Sequence, residues 1–164
     1  GNAVKKYGIF YFEEPTTPTP QLTKRVHDET GLPIATGERV YTRWQYAEYF
    51  TTGGLAIMQP DIGTCGGISE AKKICDMGYV YDVGVQIHVC GSPLSTAAAL
   101  QLEAVIPNFV IHEHHIYART KANTELCIHD YQPKNGLYEV PELPGLGNEL
   151  SEVAFENCDR VTVS

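Results

Sequence analysis

Five times in succession this chain follows a short apolar, β-favouring run with an ionisable side chain. The five are Glu13, Glu38, Asp61, His88 and Glu113, and their spacings are 25, 23, 27 and 25. The runs they follow are Ile9–Phe12, Pro33–Thr36, Leu55–Gln59, Val83–Ile87 and Phe109–Ile111. Helical stretches fall between them: Pro18 to Glu29, Arg43 to Phe50, Ile68 to Cys75 and Pro93 to Val105. In the first, Leu22 and Val26 stand at the i, i+4 spacing that aligns side chains on one helix face, and Gly31 supplies a stop. Strand, loop and helix at this pace predict βα units on a parallel sheet. Parallel neighbours need a crossover of about a dozen residues, which these helices provide.

Two α/β architectures compete for such a pattern. An open doubly wound sheet spreads its strand ends along an edge and binds ligands at a switch point. A (β/α)8 barrel gathers them on its C-terminal face. One functional-type side chain per βα unit fits the closed ring better. Five runs do not complete eight, so the expectation is a partial (β/α)8 TIM barrel. After Ala118 the rhythm stops. Residues 119–164 read as an irregular tail, packed on the barrel or on a capping module, with a hairpin signal at Asn135-Gly136. Val140 to Gly147 is too rich in Pro and Gly for a regular element.

Composition narrows the function classes. With 164 residues, 43% of them hydrophobic and 20% charged, the chain can bury a real core. A net charge of −8 argues against nucleic acid, whose phosphates need clustered Lys and Arg. No apolar run approaches the roughly 18–20 residues of a membrane helix, and the opening Gly1 to Lys6 has no signal character. Five widely spaced cysteines without a C-x-x-C pair predict reduced thiols in a cytoplasmic protein and no thiolate zinc site.

Glu13 and Glu38, on adjacent strand ends, bring two hard oxygen donors together, which suits Mg2+; in isolation they would read as solvated loop acids. Unpaired they would repel, a problem that a divalent cation removes. Glu14 is expected to point elsewhere and to pair with a cation such as Arg39. Asp61 and His88 form the second pair, because an imidazole that donates one N–H to a carboxylate has a fixed tautomer and raised basicity, as a general base requires. In His112-Glu113-His114-His115 the side chains alternate in direction, so the three histidines cannot share an ion, and Glu113 at the repeat position is the better candidate. Gly66-Gly67 lacks the rest of a phosphate-loop signature. Cys90 is expected to pack.

The chain resembles the enolase superfamily, in its mandelate racemase/muconate lactonizing enzyme branch. The resemblance is carried by Phe12-Glu13-Glu14-Pro15, Gly37-Glu38-Arg39, Gln59-Pro60-Asp61 with Gly66-Gly67-Ile68, the His88 strand end, Glu113, and Pro141 to Gly147. Gly37 to Arg43 and Pro107 to Glu113 look most like acid-sugar dehydratases of galactonate and mannonate type. The resemblance implies that these are the last five βα units of a barrel. It implies that Glu13 and Glu38 are two of three Mg2+ ligands and that Asp61 and His88 are the catalytic dyad. Glu113 would then hydrogen-bond the substrate carboxylate, and Glu14 and Arg39 would support the site or touch substrate. Abstraction of the proton α to the carboxylate would give an enediolate, and the β-hydroxyl would leave as water. Also implied are a third ligand, an opposite-face acid or base and a capping domain lying outside this chain, so that it needs a partner portion or self-associates, and assembly into homo-oligomers. Two alternatives stay open: a racemase or epimerase using the same enediolate, and a catalytically incomplete half-barrel acting as an assembly partner.

Overall fold

Four short parallel strands lie side by side in chain order. In the computed structural model, which describes residues 1–159, 161 and 162, these are β1 (Phe12–Glu13), β2 (Ile34–Thr36), β3 (Ile57–Met58) and β4 (Gly84–Val85). The sheet order is β1-β2-β3-β4. Glu13 is level with Ala35, Ala35 with Ile57, and Ile57 with Gly84, so these four share one face. Phe12 is level with Ile34, and Thr36 with Met58 and Val85, on the other. A single parallel bridge from Val85 to Phe109 adds the fifth position. The α/β partial barrel is thus present, with strands shorter than the apolar runs that contain them. Ile9–Phe12 contributes only Phe12 to a strand, and Phe109–Ile111 only its bridge. A run becomes a ladder only where a neighbouring backbone lies alongside, and β1 has one neighbour.

The crossovers are α1 (Pro20–Thr30), α2 (Thr42–Thr52) and α3 (Ile68–Val80). At the start of α1 the Thr19 hydroxyl accepts from the Leu22 N–H, and Pro20 occupies the first turn, where its missing N–H costs nothing. Lys24–Asp28 and Arg25–Glu29 brace its exposed side at i, i+4 spacing. Gly31, at φ 66°, ends it. α2 packs against both α1 and α3. Ile34, Met58 and Val85 are fully buried on the face that carries the core, with Tyr46 of α2 and Ile74 and Cys75 of α3. Each such aliphatic side chain contributes roughly 1.5–3 kcal/mol. α3 comes so near β3 that a Cβ on Gly78 would lie 2.4 Å from the Met58 methyl.

The described chain forms two compact units. One comprises Gly1–His88 and Val105–Glu113, and the other comprises Val89–Ala104 and the described residues from His114 onward. All five spaced ionisable residues belong to the first. The second contains α4 (Pro93–Glu103), a 3-10 turn at Ile116–Arg119, and the short helices α5 (Lys121–Thr124) and α6 (Glu152–Glu156). Its Asn135-Gly136 turn has φ of 53° and 78° and joins the antiparallel pair Lys134 and Leu137, as a two-residue hairpin turn demands. Val140 to Gly147 forms no regular element. Asn148 holds this irregular backbone together: its carbonyl accepts from the His129 and Glu149 N–H groups, and its amide donates to the carbonyls of His129 and Pro93. None of the five cysteines forms a disulfide. Cys90, expected to pack, is exposed. Among the described residues no helix is long and apolar enough to cross a membrane.

Candidate functional site

The parallel ladder runs on past β3 and β4, and this brings the second candidate pair together. The His88 N–H donates to the Pro60 carbonyl at 3.2 Å, which sets His88 beside Asp61. Their side chains meet, with His88 Nδ1 2.8 Å from Asp61 Oδ2. Asp61 is itself oriented by its own loop, since its other oxygen accepts from the Gly63 N–H at 2.7 Å. On the far side of the ring, His88 Nε2 lies 2.9 Å from Glu38 Oε2. The imidazole is therefore held between two carboxylates, one from the β2 end and one from the β3 end.

Glu13 ends β1 and faces the same space. Gln59, 1% exposed, donates from Nε2 to Glu13 Oε1 at 2.8 Å. Partial burial pushes the Glu13 carboxyl above the usual carboxylate range. The Gln59 bond opposes that rise, the charges of Glu113 and Glu38 add to it, and His88 opposes it. Burial also raises the Tyr11 phenol, with Glu13 adding to the rise, a hydrogen bond to Gln86 opposing it and Glu113 adding further. Thus Glu38, His88 and Glu113 all lie within electrostatic reach of Glu13, with Asp61 on the imidazole.

Glu14 turns away from this cluster, at φ 42°. It accepts from the Thr36 hydroxyl, from the Gly37 N–H at 3.1 Å, and from Arg39 through Nε at 3.0 Å and through Nη2. Burial alone would raise its pKa, but these donors and the Arg39 charge outweigh burial and hold the carboxyl below its ordinary value. The clamp ties the end of β1 to the Gly37-Glu38-Arg39 loop.

The donors available for a cation are two carboxylates, Glu13 and Glu38. Their chemistry fits a hard divalent ion, which would offset both the burial that raises Glu13 and the smaller charge effects of Glu113 and Glu38. Among the described residues no three His, Cys, Asp or Glu side chains are grouped to hold a metal by themselves. In the second unit His114 Nδ1 lies 2.6 Å from the Tyr138 hydroxyl, and Arg119 donates to its Nε2 at 3.3 Å. His115 stacks on Tyr117. Sequence reasoning passed over Gln59 and Thr36. Gln59 left one signal: it is a polar residue of the same parity as Ile57 at the end of an apolar run.

Comparison with known proteins places this geometry in context. The family described as Enolase C-terminal domain-like matches residues 1–154. D-galactonate dehydratase of Ralstonia nicotianae is 33% identical over 156 residues, which are 92% of this chain and 41% of that protein. D-xylonate dehydratase of Haloferax volcanii is 34% identical over 154 residues, covering 93% of this chain and 37% of that protein. A solved enolase superfamily member from Salmonella Typhimurium superposes with a TM-score of 0.95 at 54% identity, over 99% of this chain and 42% of that one. A mandelate racemase/muconate lactonizing enzyme from Sulfitobacter superposes with a TM-score of 0.87 at 34% identity, over 93% of this chain and 38% of that one. The chain therefore spans about two fifths of the length of these relatives.

Proposed function

The chain belongs to the enolase superfamily, and from that membership we propose that it carries the proton-abstracting half of a sugar-acid dehydratase site. His88 is the general base. Asp61 keeps a proton on Nδ1, and Nε2, which lies against Glu38 Oε2 in this structure, exchanges that carboxylate for the substrate and takes the proton α to the substrate carboxylate. Of everything in the site, the 2.8 Å contact between His88 and Asp61 supports this reading most directly. A positioned base of this kind contributes about 10²–10⁴-fold.

As the α C–H bond breaks, its electron pair moves into the carboxylate and an enediolate forms. Glu113 hydrogen-bonds a substrate carboxylate oxygen as charge grows there. The pair then returns to form the Cα=Cβ bond, the β C–O bond breaks, and the hydroxyl leaves as water with the proton that His88 took. The resulting enol becomes a 2-keto-3-deoxy acid. Glu13 and Glu38 would hold a Mg2+ ion, which when bound supplies positive charge against the developing dianion. Glu14 and Arg39 keep the Glu38 loop in place. The remaining barrel strands, a third metal ligand and a capping domain come from outside these residues, and the assembled enzyme is a cytoplasmic homo-oligomer acting on a small sugar acid.

The test uses the complete enzyme that contains this chain. Replacing His88→Asn is expected to lower turnover of galactonate- and xylonate-type acids by about 10²–10⁴-fold, with Mn2+ still bound. Undiminished turnover would refute the base role. Product analysis in D2O separates the neighbouring reaction: a 2-keto-3-deoxy acid is expected, whereas recovered substrate with deuterium at an inverted α-carbon would identify an epimerase.

A further inference from the structure

Glu13 and Gln59 are 46 residues apart, on strands that are not neighbours, yet their side chains meet at 2.8 Å. β2 lies between them. The bond can cross β2 because its residue on this face is small: Ala35 is level with both Glu13 and Ile57. Gly37 leaves no room even for a methyl group, since a Cβ there would sit 2.6 Å from the Gln59 backbone and 2.5 Å from the Tyr46 hydroxyl. Ala35 is thus the small β2 residue over which the amide reaches, while Gly37 lets the Gln59 backbone come close.

Gln59 itself has little freedom. Its N–H donates to the Thr36 carbonyl at 3.0 Å, and the following Pro60 restricts it to extended backbone. Its side chain is 1% exposed. The amide is a neutral donor: it fixes one oxygen of Glu13 without cancelling the carboxylate charge, as a Lys or Arg at this position would. Among the described residues, Glu13 Oε2 receives no hydrogen bond. We propose that Gln59 is the positioning residue for Glu13, fixing one carboxylate oxygen from across β2 so that the other stays available to a divalent cation. This rests on the reading of Glu13 as a metal ligand.

The probe is Mn2+ alone, titrated into the full enzyme and followed by electron paramagnetic resonance, with thermal unfolding of the metal-free protein alongside. Gln59→Met keeps length and removes the donor. It is expected to weaken Mn2+ binding 10–100-fold, the range for partners that orient a ligand, while the metal-free protein unfolds at the parental temperature. Parental Mn2+ affinity in Gln59→Met, with or without a lower unfolding temperature, would overturn the proposal, because a packing role alone predicts that result. Should Gln59→Met fail to fold, Gln59→Asn takes its place. Its amide falls one methylene short of Glu13, so the same 10–100-fold loss is expected, and parental affinity again counts against positioning. Glu13→Gln separates the two layers. If it leaves Mn2+ affinity intact, the metal reading falls and takes this inference with it; if it weakens binding while Gln59→Met does not, only the inference falls.

Discussion

Glu13 and Glu14 are consecutive in the chain, yet one faces the ionisable cluster and the other a clamp of four donors on the β2 loop. Alternation along a strand separates the two, and the positive φ of Glu14 turns it further. This predicts a specific stability signature for Glu14. Its folded pKa lies below the unfolded one, so its contribution is fully present above the ordinary carboxylate value and is lost as pH falls through the folded value. Glu14→Ala strands the buried Thr36 hydroxyl and Gly37 N–H, at a cost of about 1–3 kcal/mol near neutral pH. Urea denaturation should record that loss at about pH 7 and a clearly smaller one once the pH has fallen through the folded value and the parent carboxyl is protonated. An equal loss at both would show that the charge on Glu14 has no part in the clamp.

At the scale of the element, β2 matters most and is also the plainest in sequence. Pro33–Thr36 is an apolar run like the others, and the structure sets its Ala35 level with Glu13 and Ile57. Its function as a spacer does not follow from the run. Ala35 gains significance only from what crosses above it, and Gly37 only from the Gln59 backbone and Tyr46 hydroxyl pressed against it. Gly37→Ala would place a methyl against the Gln59 backbone and the Tyr46 hydroxyl, which donates to the Gly37 carbonyl at 2.9 Å. Overpacking of this kind costs typically about 1–3 kcal/mol. Chemical denaturation should show that loss, together with weaker Mn2+ binding, since the same methyl pushes Gln59 out of line. Parental stability would mean the loop moves aside freely. The helices were easier to read: α1 runs from its Thr19 cap to Gly31 because both punctuation marks are local. The strands were over-read for the opposite reason, since hydrogen-bonding partners along the chain cannot be counted from one run.

For the whole molecule, five of the βα positions of a barrel leave β1 as an open edge, with Tyr7 at 71% and Phe10 at 61% exposure just before it. An unpaired parallel strand beside exposed aromatics is a template for association. Expressed without further barrel strands, the chain is expected to self-associate at micromolar concentration, which light scattering would reveal. A monodisperse monomer of 18.1 kDa would argue that this sheet needs no completion.

The sequence by itself determined what is local or periodic: the βα rhythm, the residues after each strand, the caps and the Asn135-Gly136 turn. Hydrophobic alternation and backbone chemistry write those features into a few consecutive positions, and the spacing of Glu13, Glu38, Asp61, His88 and Glu113 is visible without coordinates. Only the tertiary structure decided that Glu38 closes on the far side of His88, that Thr36 and Gly37 join Arg39 on Glu14, and that Gln59 reaches Glu13. These contacts join residues 22 to 50 positions apart. Their existence depends on strand register and on small side chains in the strand between, and no stretch of chain records either one alone.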